Sequence, residues 1–216
     1  MGEIVLVRHG QANSEAKDED GYDRLTDLGR QQSAWLGEWL AAQGERFDTH
    51  LAGGLRRHRE TAEAMGLDFS RVQVDPRFDE MDYFNLGKAL EETHGVPFPD
   101  AEAFADHVPK VMEAWHRAEI RGNETFDAFE SRVTEALIDA AQEGRRVLAV
   151  TSGGVIAMAL RHILRLDPTR FAHILMPIRN SSIHRVHVRG RQMILAGFNA
   201  TPHLDPPDRA TARTTF

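Results

Sequence analysis

The sequence predicts an α/β fold, a three-layer α/β/α sandwich around a mainly parallel central sheet. Short apolar runs rich in β-branched residues alternate with longer segments of helical periodicity, the pattern of a sheet covered by helices on both faces. The chain has 216 residues, of which 41% are hydrophobic, enough for one well-buried globular domain. Two of the apolar runs end in short glycine-containing segments, as strands do at the ligand-binding edge of such sheets.

Five apolar runs are the candidate strands of this sheet. Most are flanked by charged, polar or glycine residues, which favours short strands that end in turns. The last two are separated by the turn-like sequence Arg189-Gly190-Arg191. The candidates are Ile4–Val7, Thr49–Ala52, Val147–Thr151, Ser182–Val188 and Met193–Phe198, of which the run at 49–52 has the weakest pattern.

Five segments are predicted to be helices. In the clearest of them, apolar residues that include Trp35 and Trp39 fall on one face, and Thr26 is placed to cap the N-terminus. We expect both tryptophans to lie in the core. The predicted helices are Asp27–Gln43, Arg56–Met65, Ala101–Ala118, Glu124–Gln142 and Val155–Leu164.

These elements are expected to form one domain, residues 1–204, because the chain contains no internal repeat and no low-complexity linker. The segment 87–122 starts with proline, histidine and acidic residues and is predicted to be a helical insertion that overhangs the site. The tail 205–216, DPPDRATARTTF, has no regular spacing of apolar residues, so we expect it to be disordered.

The composition excludes several classes of function. The net charge of −7 argues against a general nucleic-acid-binding protein, which usually has a basic face. The chain has no cysteine, so disulfides, thiolate metal sites and a cysteine nucleophile are excluded. No apolar stretch approaches the length of a membrane span, and the N-terminal run is too short for a signal peptide. We therefore expect a cytoplasmic protein without membrane or nucleic-acid partners.

Polar motifs at two predicted strand ends indicate an anion site. The first strand ends in Arg8-His9-Gly10, and the strand at 147–151 ends in Ser152-Gly153-Gly154 before a helix. Glycines let backbone N–H groups approach a ligand, and a helix N-terminus favours an anion. Arg57 opens a further predicted helix. Together with Arg8 it has the planar geometry to hold a phosphoryl group that faces His9.

Four motifs occur in a fixed order on these elements: Arg8-His9-Gly10, LTDLGRQQ at 25–32, LRRHRETA at 55–62 and FNATPHL at 198–204. Each motif alone is weak, but the four in this order are specific. With them the chain resembles the histidine phosphatase superfamily, also called the phosphoglycerate mutase-like family, over nearly its whole length. This resemblance implies a phosphoglycerate mutase-like fold.

The resemblance also implies a mechanism and assigns roles to residues of this chain. His9 is expected to attack phosphorus and to carry the phosphoryl group as a phosphohistidine. Glu80 is the expected proton donor to the leaving group, with Asp79 and Asp82 as alternatives. No metal or organic cofactor is implied, and the ligand is a small phosphorylated substrate or inorganic phosphate. The phosphate-binding residues would be Arg8, Gln11, Arg57, Ser152 and Gly153.

Two positions depart from the family pattern. Where the family usually has a second catalytic histidine, this chain has Ser152, which can donate a hydrogen bond but carries no charge. Loss of one such donor costs about 2–4 kcal/mol of transition-state stabilisation, so we expect reduced activity and expect Ser152→His to raise turnover. Glu15 stands where many members have asparagine. Because a carboxylate there would repel phosphate, we expect the acidic loop 15–23 to lie clear of the site.

The sequence leaves three alternatives to a phosphatase. The first is a phosphoryl-transfer mutase of the same fold, although such mutases typically have Glu-Ser where this chain has Gln11-Ala12. The second is a serine hydrolase with Ser152 as nucleophile, although Val150 occupies a position where the nucleophile elbow requires glycine. The third is a phosphate-binding protein with little or no catalysis. The sequence predicts neither the substrate nor the oligomeric state.

Overall fold

The fold was analysed in a computed structural model, which describes residues 1–13, 16, 18–100, 102–141 and 144–215. The strands are β1 (Gly2–Arg8), β2 (Thr49–Ala52), β3 (Gln73–Val74), β4 (Arg146–Thr151), β5 (Ile183–Arg189) and β6 (Gln192–Ala200). The helices are α1 (Glu19–Tyr22), α2 (Asp27–Ala42), α3 (Arg56–Ala64), α4 (Tyr83–His94), α5 (Phe104–His116), α6 (Phe126–Ala140), α7 (Gly153–Leu164) and α8 (Pro168–Leu175). None of the helices in these ranges combines the length and the apolar character that a membrane span requires.

The described strands form one sheet in the order β3-β2-β4-β1-β5-β6. The pairs β3-β2, β2-β4 and β4-β1 are parallel, and the two pairs that involve β5 are antiparallel. The sheet is therefore mainly parallel, as predicted. In the pairing of β1 with β4, Arg8 is opposite Thr151, so the two predicted strand ends are adjacent at one edge.

Side chains that alternate along β1 divide the apolar interior between the two faces of the sheet. Ile4 and Leu6 pack with residues of α4, α5, α6, α7 and α8, whereas Val5 and Val7 pack with residues of α2 and α3. Successive side chains of a strand point to opposite faces, so one strand belongs to both cores. The three-layer α/β/α architecture predicted from the sequence is confirmed.

The predicted elements agree with the structure to within a few residues, but four elements were missed. β3 has two residues and α1 has four, both too short for periodicity to indicate them. α4 was also missed: it begins at Tyr83, before the predicted insertion at 87–122. α5, which lies inside that range, corresponds to the predicted helix Ala101–Ala118. α8 begins at Pro168, where Asp167 accepts a hydrogen bond from the Arg170 N–H as an N-cap. The same kind of capping bond at Thr26 was predicted and is present.

The tail differs from the expected disorder. Residues 207–212 form a 3₁₀ turn, and the backbone N–H of Asn180 donates to the carbonyl of Thr214. The buried side chain of Gln32 donates to the carbonyl of Ala212 at 2.6 Å. The Arg209 guanidinium lies 4.5 Å from the ring centroid of Trp35. The tail lacks an apolar pattern because its order depends on hydrogen bonds and on this cation–π contact.

Candidate active site

The candidate site lies where β1 and β4 end side by side. The backbone N–H of His9 donates to the carbonyl of Thr151 at 2.9 Å, which fixes the imidazole beside the start of α7. Gly10 allows the chain to turn against α2, because a Cβ at residue 10 would stand 2.2 Å from the carbonyl oxygen of Gly29. The Gly10 N–H donates to Thr61 Oγ1 of α3 at 3.1 Å. The loop after β1 is thus held between two helices.

His9 is a buried, neutral imidazole with one free ring nitrogen. Only 1% of its surface is exposed, and its Nδ1 lies 2.8 Å from the carbonyl oxygen of Gly10. A carbonyl only accepts hydrogen bonds, so Nδ1 carries the proton and Nε2 keeps its lone pair. Burial, with added repulsion from Arg57 and Arg8, lowers the pKa of His9 well below 6.5. The imidazole is therefore neutral at pH 7 and has a free nucleophilic nitrogen.

Arg57 of α3 is fully buried and is only partly satisfied. Its Nη1 donates to Glu19 Oε1 at 2.5 Å and to Asp23 Oδ1 at 3.1 Å. Its Nε and Nη2 have no hydrogen-bond partner among the described residues. The ring of Tyr22 lies 5.0 Å from the guanidinium and 6.3 Å from the His9 ring. Within the described residues, two donor nitrogens of a permanently charged group therefore remain unpaired close to His9.

Arg8 approaches the N-terminus of α7. Its Nη1 donates to the carbonyl oxygens of Ile178 and Thr215. Its Nε lies 3.6 Å from where a Cβ on Gly153 would stand. The guanidinium is thus anchored by backbone acceptors and borders the helix end that the sequence predicted to receive phosphate.

Glu80 is held against the same helix end. Its Oε2 accepts a hydrogen bond from the Gly154 N–H at 3.1 Å. Gly154 leaves room for this approach, because a Cβ there would stand 2.0 Å from Glu80 Oε1 and the carboxylate would have to shift. Burial raises the pKa of Glu19, and the neighbouring charge of Glu80 adds to that rise. Glu80 therefore lies within electrostatic range of the Glu19 carboxylate, which is paired with Arg57.

The two alternative acids are held in other contacts. Asp79 Oδ1 accepts from the Gly54 N–H at 2.5 Å, and burial raises the pKa of Asp79. Asp82 accepts from the Asn123 N–H at 3.0 Å and from the side chain of Asn85. Of the three candidates, Glu80 is the one that contacts the start of α7 directly.

Ser152 does not cap α7 with its side chain. Its Oγ lies 2.7 Å from Nε2 of His58, and neither residue has any exposed surface. Sequence reasoning missed His58 because it lies in the charged run 56–59, which is usually a solvent-exposed helix face. The helical spacing of 57, 58, 61 and 62, all buried, was the signal that separates it from its neighbours.

Gln11, the remaining predicted phosphate ligand, lies at the base of the loop. Its Oε1 accepts from the Thr26 hydroxyl at 2.8 Å, and its N–H donates to Gln32 Oε1 at 2.8 Å. The structure therefore shows Gln11 engaged with the start of α2.

The acidic loop does not lie clear of the site, so that expectation is wrong for its described part. α1 covers the cluster, with Glu19 and Asp23 on Arg57 and Tyr22 against His9. The physical reason is that a buried guanidinium requires a charged partner, and these carboxylates provide it. Glu15 lies outside the described residues.

Comparison with solved structures identifies the class of fold. The chain matches a variant of phosphoserine phosphatase from Entamoeba histolytica, solved with phosphoserine, with a TM-score of 0.70 and 20% identity over 94% of this chain and 100% of that one. It matches mycobacterial glucosyl-3-phosphoglycerate phosphatase with a TM-score of 0.64 and 21% identity over 93% of this chain and 100% of that one. The fold is of the phosphoglycerate mutase-like class.

The sequence comparison then identifies the family. The model of the histidine phosphatase superfamily (branch 1) matches residues 4–201, and the chain belongs to that family. The chain is also 28% identical over 177 residues to a 2,3-bisphosphoglycerate-dependent phosphoglycerate mutase from Azorhizobium caulinodans, covering 76% of this chain and 82% of that protein. The family resemblance predicted from the four motifs is confirmed.

Proposed function

We propose that the protein is a metal-independent phosphatase that hydrolyses a small phosphomonoester through a phosphohistidine on His9. The observation that carries this proposal is the neutral, Nδ1-protonated imidazole of His9 close to the buried guanidinium of Arg57. Nε and Nη2 of that guanidinium have no hydrogen-bond partner within the described residues. A neutral nucleophile supported by fixed cationic donors is what in-line phosphoryl transfer requires.

The first half of the reaction forms the phosphoenzyme. Nε2 of His9 attacks phosphorus, and an N–P bond forms as the P–O bond to the leaving group breaks. Glu80, in its protonated form, gives its proton to the leaving oxygen.

The second half regenerates the enzyme. The Glu80 carboxylate takes a proton from water, the water oxygen attacks phosphorus, and the N–P bond breaks to release phosphate. Arg57 and Arg8, the Ser152 hydroxyl, and the backbone at Gly153 face the charge on the phosphoryl oxygens in both halves. Tyr22 and Glu19 must move to admit the substrate, because they cover His9 and Arg57.

A mutase is the second candidate, and the similarity to a phosphoglycerate mutase is the observation that favours it. Gln11-Ala12 stands against it. The two activities separate in one assay, in which 3-phosphoglycerate is incubated with and without a 2,3-bisphosphoglycerate primer. A mutase isomerises the substrate, whereas a phosphatase releases inorganic phosphate whether or not the primer is present.

The decisive test is phosphate release from a panel of monoesters that includes p-nitrophenyl phosphate, phosphoserine and 3-phosphoglycerate. We expect release by the wild type and a loss of at least about 10³-fold in His9→Ala, because the nucleophile is gone. The melting temperature of the variant serves as the control for folding. Equal rates in the two proteins would remove His9 from the mechanism.

A further inference from the structure

The proposed mechanism makes no use of His58, although this residue lies next to both His9 and Ser152. Its ring centroid is 5.9 Å from that of His9, with the two ring planes tilted by 40°. Its Nε2 contacts Ser152 Oγ at 2.7 Å, at the N-terminus of α7. An imidazole from α3 therefore reaches the serine next to which the phosphoryl group would bind.

The position of His58 is costly for the fold. Its Nδ1 is buried without a well-formed hydrogen bond within the described residues: the backbone of Gly53 lies beside it, and Asp79 Oδ1 is 3.7 Å away. An unsatisfied buried polar atom costs about 1–3 kcal/mol. Gly53 is also required, because a Cβ there would stand 2.3 Å from Nδ1. A conflict of this kind within an otherwise consistent fold is expected at functional sites.

The hydrogen bond between His58 and Ser152 can orient the serine hydroxyl. A serine hydroxyl can accept one hydrogen bond while it donates another. If Nε2–H of His58 donates to Ser152 Oγ, the hydroxyl hydrogen points away from the imidazole and is free to donate to a phosphoryl oxygen. Hydrogen bonds in such a chain polarise and strengthen one another in a low-dielectric site.

We propose that His58 supplies, from α3, the imidazole that this chain lacks at residue 152, and that it acts through Ser152 on a phosphoryl oxygen. His58 is then a positioning residue, and Ser152 is the group that touches the substrate. The step involves hydrogen bonds only, and no covalent bond forms or breaks in it. This inference rests on the proposed phosphatase activity.

The contact also changes the expectation for Ser152→His. An imidazole at residue 152 would meet the ring of His58, whose Nε2 is already at hydrogen-bond distance from the serine. We therefore expect Ser152→His alone to lower turnover. The double variant His58→Ser/Ser152→His moves the imidazole to the other end of the same hydrogen bond, and we expect it to recover activity.

The test is a double-mutant cycle on p-nitrophenyl phosphate hydrolysis. We expect kcat to fall roughly 10²- to 10³-fold in His58→Ala and in Ser152→Ala, with KM changed only a few-fold, because the lost donor acts on the transition state. The double variant His58→Ala/Ser152→Ala should lose no more activity than either single variant. His58→Gln retains an N–H donor and should regain at least tenfold over His58→Ala. Arg59→Ala, an exposed residue of the same helix, is the control and should match the wild type.

Several outcomes would overturn the inference. Wild-type kcat in a folded His58→Ala protein, or losses that multiply in the double variant, would show that the two residues do not act as a unit. If His9→Ala abolishes phosphate release and His58→Ala does not change it, only this inference fails. If His9→Ala is fully active, the phosphatase proposal fails first. Labelling of Ser152 by a fluorophosphonate, lost in His58→Ala, would make the serine a nucleophile and contradict both.

Discussion

At the scale of single residues, the site depends on how the donors of Arg57 are shared. Nη1 is bound by Glu19 and Asp23, while Nε and Nη2 are without partners in the described part of the chain. A carboxylate and a phosphoryl group are both anionic acceptors, so in the proposed mechanism Glu19 competes with the substrate for the same guanidinium. The side chain of Glu19 is 38% exposed, which makes its displacement into water feasible.

The competition predicts the effect of Glu19→Gln. Removing the carboxylate charge while keeping the shape of the side chain should lower KM for p-nitrophenyl phosphate and the inhibition constant of inorganic phosphate about 3- to 10-fold, because a partly exposed ion pair of about 1 kcal/mol no longer competes. Steady-state kinetics at low salt measure both constants. Asp20→Asn makes the same change of charge at an exposed residue of α1 and should leave them unchanged. Equal effects of the two variants would show a general field instead of a local competition.

The sequence reveals such residues only when they belong to a motif. Arg8, His9 and Arg57 were predicted because strand ends and known motif spacing mark them. His58 was missed, because its partner Ser152 lies 94 positions away in the chain and no local pattern connects the two. The expected clearance of the acidic loop was wrong for the same reason, since the attraction of Glu19 to a buried guanidinium is a tertiary effect.

At the scale of elements, the tail shows how distant segments support the site. Ala212 and Thr214 accept hydrogen bonds from Gln32 and from the Asn180 N–H, and the carbonyl of Thr215 accepts from Arg8. The tail thereby contacts α2, the segment before β5, and one of the site arginines. No hydrophobic periodicity indicates such an element, whereas helices such as α2 and α7, which bury an apolar face, were found from the sequence.

Deletion of residues 205–216 tests this role. The truncated protein loses several buried hydrogen bonds of about 1 kcal/mol each, so we expect the melting temperature to fall by about 5–10 °C. Tryptophan emission should shift to longer wavelength, because Trp35 loses the cover of Arg209. Arg213→Ala removes only an exposed ion pair with Asp205 and serves as the control. An unchanged melting temperature and emission in the truncated protein would mean that the tail does not support the fold.

At the scale of the whole molecule, buried histidines connect stability to pH. Burial, aided by the charge of Arg8, lowers the pKa of His184 to about 3. Burial, aided by Arg209, lowers the pKa of His203 to about 4. The unfolded chain, with histidine pKa values near 6.5, binds protons in this range while the folded protein does not. The free energy of unfolding therefore decreases as the pH falls below about 6.5.

We expect this decrease to be large for a molecule of marginal stability. Each of the two histidines should lower the free energy of unfolding by about 2 kcal/mol between pH 6.5 and pH 5. Urea unfolding at a series of pH values measures it. His203→Gln keeps a donor for its contact with Ser181 and should reduce the slope by one residue's share. Stability that does not change between pH 6.5 and 5 would contradict the neutral burial of these side chains.

If His9 carries the phosphoryl group, as we propose, the covalent intermediate can be trapped on its ring. The protein is mixed with p-nitrophenyl phosphate, quenched in alkali, which preserves phosphohistidine, and analysed by mass spectrometry of its peptides. We expect one added phosphoryl group on His9, absent from His9→Ala and removed by acid. A phosphoryl group on Ser152, or hydrolysis at full rate with no phosphoenzyme at any time point, would contradict this expectation.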